Sequence, residues 1–330
     1  MHILYTDRHR LHATDRVERG GRPFAIEEVP ARAEIILSAV RAARLGPVSA
    51  PIDHGLDPIL AVHHAGFVDY LRGAYAASAT PIFADYSAPR RSRRRPARVP
   101  GLKGYYAFGN EDPILEGTWP AAYWSAQCAL SAADVARDTG ETAYALCRPP
   151  GHHAAVDLFG GYCYLNNAAI AARYLQTRTA ILDIDYHHGN GTQEIFYSDP
   201  TVLYCSIHAD PDDEYPYYWG AADEYGEGLG LGFNRNWPLP LGADDATYLS
   251  ALAEALAAIR EFEPRYLVVS AGFDIVAGDP VGGFNVTTDG LAEVGRRIAG
   301  LRLPTLIVQE GGYLLERLGE NAVAFLQAFV

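Results

Sequence analysis

The stretch 180-AILDIDYHHGNGT-192 decides the reading of this chain. An apolar run of strand length, 180-AILDID-185, feeds straight into two histidines and a pair of glycines. Side chains on an extended backbone alternate with a period of two, so Asp183, Asp185 and His187 project on the same side. Two carboxylates and an imidazole on one side can converge on a metal ion. Gly189 and Gly191 suit a tight turn at a strand end, which would put those groups at the mouth of a sheet. A lone D-x-D or H-H carries little weight, because surface aspartates and satisfied histidines outnumber ligands. The whole run from 183 to 192 is far more specific.

On either side of this stretch, short runs rich in β-branched residues recur at 201-TVLYCSI-207, 266-YLVVSA-271 and 305-TLIVQ-309, with a further apolar run at 143-AYALC-147. Helical spacing of Ala, Leu and Ile fills 121–137, 165–176, 245–261, 287–300 and 315–328. Strand and helix alternate, which predicts an α/β fold with a central, mostly parallel sheet and helices on both faces. Such sheets bind ligands beyond the carboxyl ends of their strands, so long strand-end loops should form the active site. The 330 residues read as one domain, 1–330, without internal repeats.

Two segments interrupt the alternation. The first, 89-PRRSRRRPARVPG-101, packs six arginines between prolines and reads as an exposed loop, part of an insertion at about 85–118. The second, 208–242, is rich in Gly, Asp, Tyr and Pro and too long for a simple connection, as functional loops often are. Its GEGLGLG stretch, Gly226 to Gly232, is not entered from a strand and is not read as a nucleotide fingerprint.

Composition sets the outer limits. A formal net charge of -13 argues against nucleic-acid binding and leans toward cationic ligands. The start of the chain shows no leader pattern and no run of eighteen apolar residues occurs, so a cytoplasmic protein without membrane attachment is expected. Cys128, Cys147, Cys163 and Cys205 are widely spaced and read as reduced, buried thiols.

Three more clusters follow predicted strands. They are 148-RPPGHHA-154, Asp274 within 271-AGFDIVAGDP-280, and 310-EGGY-313. Individually each has an ordinary reading: solvated histidines, a turn-forming aspartate, a Gly-Gly turn. Together, on one edge of one sheet, they read as a metal hydrolase. A catalytic zinc site keeps three protein ligands and one open position, and Asp185, His187 and Asp274 supply three. No H-E-x-x-H, G-x-S-x-G or C-x-x-C motif offers a competing chemistry.

In this order, RPPGHHA, DIDYHHGNGT, GFD followed by GDP, and EGGY resemble the signature elements of the histone deacetylase superfamily. The stretches 104-GYYAFGNEDPILEGTW-119 and 158-LFGGYCYLNNAA-169 are similar to its bacterial acetylpolyamine amidohydrolase branch. The resemblance implies the arginase-deacetylase fold and a zinc-dependent amide hydrolase. Such an enzyme removes acetyl groups from acetylpolyamines or short acetylated diamines, releasing acetate and free amine. It implies one catalytic zinc per chain on Asp185, His187 and Asp274, with His152 and His153 as tandem catalytic histidines and Tyr313 as the transition-state tyrosine. Behind the histidines, Asp183 is expected to face His152 and Asn190 to face His153. A potassium ion is implied at Asp183, Asp185, His187 and Ser206. Phe159 and Tyr215 are the implied walls of the substrate channel, and Glu111 an acidic residue at its mouth. The 85–118 insertion is the implied homodimer contact, and it departs from the branch around Pro100, where a second acidic residue is replaced.

Other readings are weighed against this one. A protein or peptide acetyl-lysine deacetylase would use the same centre. An arginase-like manganese ureohydrolase needs further ligands, but residues 187–189 read His-His-Gly and Val276 stands where another carboxylate is required. A silent acetyl-amine binding module would have lost a ligand, a tandem histidine or the tyrosine, and none is lost.

Overall fold

Runs such as 179-TAILD-183 and 305-TLIVQ-309 offer no polar side to turn toward water, and the chain buries them on both faces of one sheet. The computed structural model describes residues 1–13, 16–19, 22–82, 95–109 and 112–330. The first half of the chain runs β1 (His2–Leu4), a hairpin of β2 (Arg16–Arg19) and β3 (Arg22–Ala25), α1 (Ala31–Ala42), β4 (Val48–Ser49), α2 (Asp57–Leu60), α3 (Ala65–Ser78), α4 (Val99–Tyr106), α5 (Thr118–Thr139) and β5 (Ala143–Ala145). There follow α6 (Asn167–Tyr174), β6 (Thr179–Asp183), α7 (Asn190–Phe196), β7 (Val202–Ala209), β8 (Asn234–Leu239), α8 (Asp245–Phe262), β9 (Tyr266–Ala271), α9 (Thr288–Ala299), β10 (Thr305–Gln309) and α10 (Leu315–Leu326).

Eight strands form a parallel sheet in the order β4-β1-β5-β10-β9-β6-β7-β8. Side-chain alternation divides each strand between two cores. Ala180, Leu182, Leu267, Val269 and Ile307 face the core shared with α1, α8, α9 and α10. Ile181, Val268, Leu306 and Val308 face the core shared with α3, α5 and α6. Helix starts follow capping chemistry: Asp244 accepts from Thr247 N–H at 3.0 Å, Thr287 Oγ1 from Gly290 N–H at 2.9 Å and Asn166 from Ala169 N–H at 2.9 Å.

The order of the strands matters most for function. The chain passes from β5 to β6 over the places later filled by β10 and β9, so these four strands lie side by side at the centre of the sheet. Each of the four chemistry-bearing clusters of the sequence leaves the carboxyl end of one of them.

Several expectations are corrected. The strand read at 180–185 ends at Asp183 and that at 143–147 ends at Ala145, because the chain turns there to build the site loops. The 208–242 segment holds an edge strand, β8, whose sequence NRNWPL has no apolar alternation and a proline that only an edge tolerates. Within the 85–118 insertion, residues 99–106 form α4 instead of a loop. Most of the arginine run, 90–94, and Glu111 lie outside the described residues. Among the described residues no helix is long and apolar enough to cross a membrane.

Candidate active site

Beyond β6 the backbone stays engaged with its neighbours while it crosses the sheet edge. Ile184 N–H donates to Ser270 O at 2.9 Å and Tyr186 N–H to Asp274 Oδ1 at 3.1 Å. Gly311 N–H, at the end of β10, donates to Asp185 Oδ2 at 2.8 Å. These bonds bring Asp185, His187 and Asp274 together, one ligand-type atom of each lying within 4.8 Å of the others, all buried. His187 Nδ1 is 3.4 Å from both Asp185 Oδ1 and Asp274 Oδ2. Asp183, the other carboxylate of the run, turns instead to the histidine loop.

Two carboxylates buried side by side are electrostatically costly. Burial and then the Asp185 charge push the Asp274 carboxyl up to about 7. Against its own burial, His152 and His187 hold Asp185 well below the ordinary range. Asp274 Oδ2 is buried without a hydrogen-bond donor. A dication beside it would relieve both the orphaned oxygen and the repulsion, and one imidazole with two carboxylates is a donor set that suits zinc. Glycine at 311 is a matter of space: a Cβ there would lie 2.2 Å from Asp274 Oδ2 and 2.6 Å from Asp185 Oδ2.

The loop after β5 carries His152 and His153, their ring centroids 4.0 Å apart. Their partners differ in charge. His152 Nδ1 lies 3.2 Å from Asp183 Oδ2, whereas His153 Nδ1 lies 2.7 Å from the neutral Asn190 Oδ1. Burial opposes charge on both. The Asp185 and Asp183 carboxylates overcome it at His152 and raise that imidazole to about 10. At His153 burial, reinforced by His152 and His187, depresses the imidazole well below its ordinary value.

Sequence reasoning missed the residues that hold this loop and Tyr313 in place. Glu310, buried at the end of β10, accepts from Gly151 N–H at 2.6 Å and His152 N–H at 3.2 Å. Asp279, of the GDP element, accepts from the backbone N–H of Tyr313 at 2.7 Å and of Leu314 at 2.9 Å. The Arg32 guanidinium lies 4.4 Å from the Tyr313 ring centroid. Burial keeps the Tyr313 phenol well above its ordinary value, and therefore protonated.

A cavity of ≈ 470 Å³ opens above this floor and is lined by His152, His153, His187 and Tyr313. Its walls include Tyr215, stacked on Phe108 with ring centroids 6.2 Å apart and planes at 12°. Phe159 is not a wall. It is fully buried and stacks on Tyr164, while its backbone pairs with Tyr106 and Phe108 and so presents Phe108 to the cavity in its place. Tyr162 completes the lining from a left-handed backbone, φ 66°, held by its N–H to Asp112 Oδ1. Ser206 is fully buried and pairs in register with Asp183.

Residues 26–329 match the family described as the histone deacetylase domain. Acetylpolyamine amidohydrolase 1 of Pseudomonas aeruginosa is 45% identical, over 99% of this chain and 98% of that protein. The acetylpolyamine amidohydrolase of Mycoplana ramosa is 39% identical, over 99% of each chain. A crystal structure of the acetylpolyamine aminohydrolase from Burkholderia pseudomallei superposes with a TM-score of 0.95 at 43% identity, covering 100% of this chain and 98% of that one.

Behind the floor lies a buried ion cluster. Glu28 Oε1 meets Arg148 Nε at 2.8 Å and Arg32 Nη1 at 2.9 Å. Although burial opposes ionisation, Arg148 and then Arg32 hold the Glu28 carboxyl below its ordinary range. Arg148 opens the histidine loop and Arg32 backs Tyr313, so one carboxylate braces two parts of the site. Removing one partner of a buried pair strands the others. Glu28→Gln is expected to lower the unfolding free energy by about 3–5 kcal/mol in a urea titration. A loss below about 0.5 kcal/mol, ordinary for a surface substitution, would mean that the cluster braces nothing.

Proposed function

Because the chain belongs to the histone deacetylase family and is a hydrolase of acetylated amines, we propose that its substrates are acetylpolyamines or short acetylated diamines. It cleaves them to acetate and free amine with one zinc ion per chain. The observation that carries this reading is the Asp185, His187 and Asp274 set, which lies with His153 and Tyr313 at the floor of a cavity walled by stacked aromatic rings. The relatives named acetylpolyamine amidohydrolase support the substrate class.

Zinc held by Asp185, His187 and Asp274 would supply Lewis-acid polarisation of the amide carbonyl and would lower the pKa of water toward about 7. The chain's own residues manage the protons. Asn190 Oδ1 is an acceptor, so His153 carries its proton on Nδ1 and keeps a free lone pair on Nε2. With its imidazole depressed, His153 is neutral at the outset and accepts the proton of the attacking water. It then returns a proton to the leaving nitrogen, which cannot depart as an anion. His152, held charged by Asp185 and Asp183, orients its neighbour and adds positive potential beside the reacting carbonyl. Tyr313 donates a hydrogen bond to the oxyanion as it forms. We also place potassium at Asp183, Asp185, His187 and Ser206, a homodimer contact on the 85–118 insertion, and the enzyme in the cytoplasm, where its four buried cysteines stay reduced.

Three outcomes are expected. Elemental analysis should give one zinc per chain in the parent and none in Asp274→Ala, which loses activity with the metal; full activity in that variant would sink the ligand assignment. Tyr313→Phe should keep the fold and the zinc while turnover falls about 10²- to 10³-fold with little change in KM. Turnover within twofold of the parent would remove Tyr313 from the reaction. Light scattering should report a dimer, and deletion of 90–98 should weaken it; a monomeric parent rejects the interface.

A further inference from the structure

The cavity has a charge pattern that hydrolysis of an amide does not require. Among the described residues the carboxylates that line it are Asp112 and Glu214, and no lysine or arginine lines it. Asp112 is buried against the Tyr162 backbone. Glu214 is half-buried and belongs to the cavity wall beside Tyr215. We propose that Glu214 binds the free ammonium at the far end of the substrate, so that the enzyme selects mono-acetylated diamines over uncharged N-alkylacetamides of the same length. The proposal rests on the deacetylase reading and adds a specificity determinant to it.

Geometry carries the assignment. Glu214 Oε1 accepts from Tyr215 N–H at 2.9 Å and Oε2 from the Tyr186 hydroxyl at 3.1 Å. These two bonds fix the carboxylate and use one acceptor site on each oxygen, leaving others for an ammonium, which has three protons to donate. Position is set by the same contacts. Tyr186 starts between Asp185 and His187, and its hydroxyl ends on Glu214, so one tyrosine side chain separates the carboxylate from the metal-binding residues. The extended chain of acetylputrescine or acetylcadaverine spans a similar length. Between the two ends, the stacked Phe108 and Tyr215 rings form an apolar part of the cavity wall against which a methylene chain can lie. The Tyr215 ring also lies 5.1 Å from that of His153, so the wall next to Glu214 reaches down to the catalytic floor.

Glu214→Gln removes the charge and little else. The amide oxygen still accepts from Tyr215 N–H, and the Tyr186 hydroxyl can rotate to accept from the amide nitrogen. Steady-state kinetics of the zinc-loaded enzyme should be measured with N-acetylputrescine and with N-pentylacetamide, in which a methyl group replaces the ammonium. The variant is expected to raise KM for N-acetylputrescine about tenfold, equivalent to about 1.4 kcal/mol, with kcat within twofold. KM for N-pentylacetamide should move less than twofold. Equal rises for both substrates would assign Glu214 to holding Tyr215, and no rise would remove it from binding; either overturns the proposal. A parent that hydrolyses neither compound refutes the deacetylase reading itself, before Glu214 is tested. Glu214→Asp supplies a second reading should the Gln variant fail to fold. It withdraws the charge by one methylene and should shift preference from N-acetylputrescine toward N-acetylcadaverine, whereas an unchanged ratio of the two would also overturn the proposal.

Discussion

Two buried carboxylates, Asp185 and Asp274, meet His187 at the end of the sheet, and one of their oxygens, Asp274 Oδ2, has no hydrogen-bond donor. No sequence would keep that arrangement for stability alone, since replacing it with apolar side chains avoids the cost of burying charge. A bound dication makes it sustainable, and much of the surrounding structure serves to keep the two groups in place. The Gly311 and Tyr186 amides point at their oxygens. The parallel order of β5, β10, β9 and β6 delivers four loops to the same spot. The strand-end geometry is thus the cause of the electrostatics, and the electrostatics call for the metal.

A second consequence is that neighbouring histidines acquire opposite protonation states without different burial. His152 and His153 are both buried, and the desolvation that each suffers is overcome at one and not at the other. What separates them is first the Asp185 charge beside His152 and then the acceptor behind each ring, the Asp183 carboxylate for His152 and an amide for His153. A charged imidazole beside a neutral one offers a base and a fixed positive potential within one dipeptide. The positive cluster of Arg32 and Arg148 around Glu28 lies on the other side of the floor and fixes Tyr313 and the start of the histidine loop.

Much of this was legible in the chain because the chemistry sits in short, contiguous runs. The strands 266–271 and 305–309 read from apolar content alone, and the three proposed ligands from the residue types after β6 and β9, although β6 ends at Asp183 and the alternation expected through His187 is not kept. What was not legible depends on pairing rather than on local sequence. The two-residue β4 and the three-residue β1 have no pattern to read, and β8 is specified by its neighbour β7 rather than by its own residues. Phe159 and Phe108 are both aromatic residues near the same loop. Only the backbone bonds between Tyr106, Phe108 and Phe159 decide which ring is core and which is wall. Glu28, Arg32, Glu310 and Asp279 act through backbone or through each other, and an isolated acidic or basic letter in a sequence carries no sign of such a partner.

The division between floor and walls has a physical logic. Each floor residue follows a central strand directly and is fixed by hydrogen bonds to the next strand, so its position is set by the most rigid part of the molecule. Phe108, Tyr162 and Tyr215 stand on segments that leave the sheet, and the first of them lies within the insertion that carries α4. Changes in those segments alter what can reach the floor without altering the distance between Asp185 and Asp274. A loop that re-aims one ring or one carboxylate therefore changes the substrate, whereas the same displacement at the end of β6 or β9 would separate the ligands and end the chemistry. Specificity for one acetylated amine over another is for that reason to be sought in the walls, where strain such as the left-handed Tyr162 is found, and not in the metal-binding floor.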